Sequence, residues 1–290
     1  MTKPTSVATR TLSIPAPNGA MLSATEHLPD GPVDAGSPTV VLAHGWTLTR
    51  QAWARVVREV QSHRAVRVIT YDQRGHGRST WGSVRSQPIK DLGDDLAAVI
   101  AATAPNGPLV LGGHSMGGMT VMAYAGRHSS DFTDRVRGTV LVSTAASIPD
   151  RKAVPGEAFL MGAMARLPLV SLRPVPAGLH RWTNFGENPE KAAVNEVGRM
   201  INATRLATTG RYYFSLTGLD EREALATIAT RPSHVIGGTK DRITFFRWIR
   251  SVHEGIAGSE FTILPGKGHM LPYEATDVVA DALIGMIDES

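Results

Sequence analysis

The chain contains no cysteine. Disulfides, thiolate nucleophiles and cysteine-ligated zinc are thereby excluded. That absence fits a reducing cytoplasm, which is the expected location. No apolar stretch approaches the ~20 residues needed to cross a bilayer, so no integral membrane association is expected. The first residues, MTKPTSVATRTLSIPAPNG, lack an apolar core, which argues against a signal peptide. Formal net charge is only +4, and no run of five Lys or Arg occurs. Nucleic acid is therefore a poor partner. The sequence has no H-E-x-x-H, no acidic cluster and no Gly-Lys-Ser/Thr phosphate loop. Neither a metal nor another cofactor is expected. Short internal repeats are also missing.

What remains is an ordinary globular composition, 42% hydrophobic and 19% charged over 290 residues. The length suits one large α/β domain, or a core with an inserted subdomain.

The stretch at 109–118, LVLGGHSMGG, organises the rest. An apolar run from Leu109 to Leu111 enters Gly113-His114-Ser115-Met116-Gly117. Small and apolar residues follow, including Met119, Val121 and Met122. This reads as strand, sharp turn and helix, with Ser115 at the tip. Such a turn forces the serine into strained backbone angles, and Gly113 and Gly117 let strand and helix pass closely. An ordinary glycine-rich turn, or a phosphate cradle at a helix N-terminus, would share the pattern. Downstream partners must decide.

In chain order, 11–28 reads as a hairpin around Pro17-Asn18-Gly19. Thr39–Ala43 is a short apolar run of the kind buried on both faces of a parallel sheet. A helix is expected at about 50–61, with Trp53, Val56, Val57 and Val60 inward. Val66 to Tyr71 is the next strand, and 89–104 the next helix. The elbow helix runs to about His128, and Gly138 to Ser143 is a further strand. Residues 149–230 change character. Strand-like runs stop, and Pro149, Pro155, Pro168, Pro174 and Pro176 recur among helix-like pieces. We read an inserted, mostly helical cap between core segments 1–148 and 231–290. Strands resume at 233–238 and 261–264, each followed by a helix. This alternation predicts a mostly parallel, doubly wound α/β sheet.

Ligands of such sheets sit beyond the carboxyl ends of the strands. Three residues stand there in order: Ser115, Asp241 and His269. A serine hydroxyl is a weak nucleophile, so a histidine must take its proton and return it to the leaving group. A buried carboxylate must fix the imidazole tautomer and stabilise the imidazolium. Asp241 could instead cap the following helix. His269 could be a loop histidine stacked on Tyr273. Asp150 is the alternative acid. An oxyanion also needs preorganised donors, and losing one costs roughly 10²–10³ in rate. The backbone N–H groups of Met116 and Trp46 are the candidates.

His44-Gly45-Trp46, Asp72-Gln73-Arg74-Gly75-His76-Gly77-Arg78-Ser79, Gly113-His114-Ser115-Met116-Gly117-Gly118, Asp241 and Gly268-His269 together resemble the α/β-hydrolase superfamily. The likeness covers about 10–148 and 231–288. It implies an eight-stranded sheet, an acyl-serine mechanism, and a cap that sets substrate choice. The His-Gly-Trp stretch also resembles bacterial arylesterases and cofactor-free perhydrolases. Those perhydrolases carry proline after the aromatic, where this chain has Thr47. Epoxide and haloalkane hydrolases of the fold use aspartate at the elbow, against which Ser115 argues.

The expected function is hydrolysis of a small-molecule carboxylic ester, with a lipophilic group favoured by cap residues facing the site. Perhydrolysis, lactone, thioester or C–C bond cleavage would use the same machinery. A non-catalytic hydrolase-fold binding protein, or a structural protein using the fold, is the rival from another class. His114 is expected to pack under the elbow. Asp72, Arg74 and Arg78 should tie their loop together, and Glu274 should cap the last helix.

Overall fold

The computed structural model describes residues 8–34, 36–152, 154–167 and 175–289. Residues 1–7, and Pro168 and Pro174 of the proline-rich stretch, lie outside the described residues. The hairpin expected at 11–28 forms as β1 (Ala8–Ala16) and β2 (Ala20–Leu28), joined by a turn at Pro17–Gly19. β3 (Thr39–Ala43), β4 (Val68–Tyr71), β5 (Leu109–His114), β6 (Val136–Val142), β7 (Ser233–Gly238) and β8 (Glu260–Leu264) follow.

They form one eight-stranded sheet in the order β1-β2-β4-β3-β5-β6-β7-β8. β1 pairs with β2, and β2 with β4, antiparallel; every later pairing is parallel. The central strands β3, β4 and β5 are buried on both sides, which is why their sequences are continuously apolar.

Helices cover both faces. α1 (Ala54–His63), α11 (Leu271–Glu274) and α12 (Thr276–Asp288) close one side. Val56, Val57 and Val60 of α1 recur at helical spacing and meet Val279, Ala280 and Leu283 of α12 in one apolar cluster. α2 (Leu92–Thr103), α3 (Met116–Arg127) and α10 (Phe246–Gly255) close the other. A separate helix, α4 (Ser129–Arg135), precedes β6.

Between β6 and β7 come α5 (Glu157–Arg166), α6 (Ala177–Asn184), α7 (Lys191–Ala203) and α8 (Leu206–Thr217). α5 and α8 touch backbone to backbone. A Cβ on Gly210 would lie 2.4 Å from Met161 O, so glycine is required there. α8 is tied to the sheet's loops: Thr208 Oγ1 donates to Gly75 O at 2.8 Å and Tyr212 OH to Arg74 O at 2.9 Å. α7 packs Val194 and Val197 against Leu48 and Ala52. α9 (Ala224–Ile228) falls within the stretch expected to be cap. It joins the main apolar cluster beside α3 through Ala224, Leu225 and Ile228.

Candidate active site

Ser115 stands between β5 and α3 with φ 54° and ψ −120°, a conformation unfavourable for a residue with a Cβ. The surroundings enforce it. Ser115 N donates to Val142 O at 2.9 Å, and Thr144 Oγ1 donates to Ser115 O at 2.7 Å. A Cβ on Gly113 would lie 2.4 Å from Gly117 O, and one on Gly117 would lie 2.0 Å from Ala43 O. The two glycines thus have the steric role that the sequence assigns them.

Asp241 and His269 meet at the ends of β7 and β8. His269 Nδ1 donates to Asp241 Oδ2 at 2.8 Å, with both residues buried. Asp241 Oδ1 accepts the N–H groups of Ile243 and Thr244, each at 2.9 Å. Asp241 thus holds His269 and closes its own turn; it does not cap the following helix, α10, whose N-cap is Phe245. His269 does not stack on Tyr273. Its ring sits 4.8 Å from that of His114, the residue before Ser115. His114 Nε2 donates to His269 O at 2.9 Å, because a carbonyl can only accept. Burial, with His269 alongside, holds His114 well below the usual histidine range. Among the described residues, Ser115 Oγ makes no hydrogen bond to His269. Such contacts are commonly loose in unliganded sites.

Asp150 does not approach His269. It accepts from Arg247 Nε at 2.7 Å and Trp248 Nε1 at 2.6 Å, so it serves the rim of the cavity. Glu274 does not cap the last helix. It reaches back to accept Gly186 N at 2.8 Å, Gly268 N at 3.1 Å and Met270 N at 3.2 Å. It clamps the residues on either side of His269, so although it stands just before α12 its side chain serves the histidine loop.

The loop after β3 is held by buried histidines. His44 Nδ1 donates to Gly45 O at 2.7 Å, leaving Nε2 to accept Gln73 N at 2.9 Å. His76 Nδ1 donates to Arg74 O at 3.1 Å, and its Nε2 accepts Thr47 N at 3.2 Å. Burial pushes His44 down to about 4 and His76 to about 3, so both stay neutral and keep these tautomers. Thr47 has φ 61°. Among the described residues, the N–H groups of Trp46 and Met116 have no acceptor. The loop after β4 is tied as expected. Asp72 pairs with Arg50 and accepts Arg78 N at 3.0 Å, while Arg74 is fully buried against Asp95.

Ser115 and Trp46 open into a cavity of about 680 Å³. Met119, Ile148, Tyr213, Leu216 and Trp248 supply apolar wall. Tyr213 and Leu216 come from α8 of the inserted segment. Sequence reasoning did not single out Tyr213 or Leu216, because tertiary packing alone brings α8 here. A cavity of this size fits a small to medium organic molecule.

The sequence model of the alpha/beta hydrolase family matches residues 40–282. A bifunctional esterase/perhydrolase of Acinetobacter calcoaceticus is 28% identical over 89% of this chain and 93% of its own. A thermophilic esterase from Thermogutta terrifontis superposes with a TM-score of 0.78 at 22% identity, covering 97% of this chain and 98% of its own. An enol-lactonase from Burkholderia xenovorans superposes at 0.75 with 24% identity, covering 96% of this chain and 100% of its own. At those identities the two structures show a shared fold. No helix among the described residues is long and apolar enough to cross a membrane.

Proposed function

Because the chain belongs to the alpha/beta hydrolase family, we propose that it is a serine hydrolase of carboxylic esters, acting through an acyl-Ser115 intermediate. The observation that carries this reading is the buried Asp241–His269 hydrogen bond beside the strained elbow that presents Ser115. Ser115 Oγ attacks the ester carbonyl while His269 Nε2 takes its proton. Asp241 holds Nδ1–H and stabilises the imidazolium. The N–H groups of Trp46 and Met116 receive the oxyanion. His269 then returns the proton to the leaving alcohol. Water, deprotonated by the same imidazole, attacks the acyl-enzyme, and the imidazolium returns that proton to Ser115 Oγ as the acid leaves.

The helices between β6 and β7 act as the cap and supply part of the substrate wall. The apolar lining supports a lipophilic group on the ester. The lack of cysteine supports action in the cytoplasm.

Thr47 supports hydrolysis over perhydrolysis. Its φ of 61° is closed to proline, which is fixed near −65°, and its N–H is already bonded to His76. The backbone of this loop is not the one a proline would impose. Lactones and thioesters would use the same steps, whereas a binding protein would show no turnover. The test is steady-state hydrolysis of short aryl esters, with perhydrolysis assayed in peroxide. Turnover in the wild type, abolished by Ser115→Ala, is expected, with peracid formation negligible. Folded wild-type protein without turnover of any ester, lactone or thioester would overturn the reading.

A further inference from the structure

The cavity over Ser115 has an apolar wall but a cationic rim. Arg151, Lys152, Arg242 and Arg247 all line it, and Asp150 is the one carboxylate among its described lining residues. Two of these cations are answered locally. Arg247 Nε donates to Asp150 at 2.7 Å. Arg151 Nη2 donates to Glu157 at 2.5 Å, and its guanidinium lies 5.1 Å from the Tyr213 ring centroid.

Arg242 and Lys152 are not answered. Arg242 Nη1 donates to Trp182 O at 2.9 Å and to Phe185 O at 3.1 Å, and its guanidinium stands over the Trp182 ring. Carbonyl oxygens and an aromatic face fix where the guanidinium sits without neutralising it. Lys152 is exposed and makes no ion pair among the described residues, whereas its neighbours Arg151 and Arg247 do. An apolar cleft walled by low-dielectric material focuses the field of such charges onto what enters it. A purely hydrocarbon substrate would gain nothing from them.

Resting on the serine hydrolase reading, we propose that the ester carries a carboxylate away from its scissile carbonyl, received by Lys152 and Arg242. The ester is then an apolar chain with one anionic end. Its hydrolysis yields either a dicarboxylate, if the charge is on the acyl side, or a hydroxy acid, if it is on the alcohol side.

The test compares charged esters with neutral isosteres that end in an isopropyl group. One pair places the group on the acyl side, as a hemiglutarate ester. The other places it on the alcohol side, as an acetate of hydroxybutyrate. In one pair, kcat/KM of the charged ester should exceed that of its isostere by roughly tenfold or more at low salt. The ratio should fall towards one in high salt and in the Lys152→Met, Arg242→Met double variant. Should Arg242→Met fail to fold, Lys152→Met alone should still lower the ratio. Equal or poorer turnover of both charged esters, or a preference that the variants retain, overturns the proposal. Calorimetric binding of glutarate to Ser115→Ala protein separates this inference from the chemistry. Binding lost on Lys152→Met, without turnover of any ester, would sink the serine reading and leave only the carboxylate site at Lys152 and Arg242. Ester turnover with no charge preference would do the reverse.

Discussion

Asp241 holds His269 with one carboxylate oxygen and its own turn with the other. Oδ2 accepts His269 Nδ1–H at 2.8 Å, while Oδ1 takes the N–H groups of Ile243 and Thr244. The carboxylate cannot rotate without breaking the turn, so the imidazole is oriented before substrate arrives. Asp241→Asn keeps the shape but can present an amide N–H to Nδ1, favouring the wrong tautomer. We expect kcat to fall by roughly 10⁴, the order seen for such a change in a serine protease. Hydrolysis of an aryl ester, with circular dichroism to confirm folding, checks it.

Thr47→Pro tests the loop after β3. Proline cannot reach the φ of 61° found there and removes the N–H bonded to His76. The variant should lose about 3 kcal/mol of stability. It should also lose ester turnover, because the Trp46 N–H moves. Chemical denaturation read beside activity gives both values. A Thr47→Pro protein as stable as wild type would mean that the loop is free to rearrange.

Gly117→Ala should be among the most damaging single changes. The new Cβ would sit 2.0 Å from the carbonyl oxygen of Ala43, a backbone atom of the central sheet. Relief requires strand and helix to part, at about 3 kcal/mol or more. Thermal unfolding of the purified variant reads the loss.

Arg74 and Asp95 form a fully buried ion pair, Nε to Oδ2 at 2.8 Å. Arg74 also donates to Trp81 O at 3.1 Å and to Pro17 O at 2.9 Å, tying the loop after β4 to the hairpin turn. Asp95→Ala leaves a buried guanidinium without its counter-charge and should cost about 3–5 kcal/mol. Equilibrium unfolding in urea measures it.

Glu221 gives a pH signature. Burial, with Asp220 nearby, raises its carboxyl from the ordinary 4.5 to about 7. The folded state therefore holds this proton more tightly than the unfolded chain does. At pH below 4.5 both states are protonated and nothing is lost. As pH rises from there to about 7 the unfolded chain releases its proton first, and stability falls. Glu221→Gln should raise Tm above wild type at pH 8 and match it near pH 4. A Tm difference that does not vary with pH would contradict this account.

The strands were legible because sheet burial on both faces demands unbroken apolar runs, as in Thr39–Ala43 and Leu109–Leu111. The triad candidates were legible because each sits at a strand's carboxyl end, in a chain order that this topology uses. Other features were not. Ser129–Arg135 is a polar, short helix with little apolar periodicity to mark it. Glu274 stands near the start of α12, yet its side chain turns back to the loop holding His269, a contact that only tertiary closure creates. Lys152, Tyr213 and Arg242 lie far apart in the chain and reach one cavity only after the inserted helices dock.

The central claim is that Ser115 is an activated nucleophile. The direct measurement is intact mass after exposure to a fluorophosphonate, in wild type and Ser115→Ala, with the adduct located by peptide mapping. The account predicts one adduct on the wild type, on Ser115, and none on the variant. Folded wild-type protein that takes up no label, or carries it elsewhere, would contradict it.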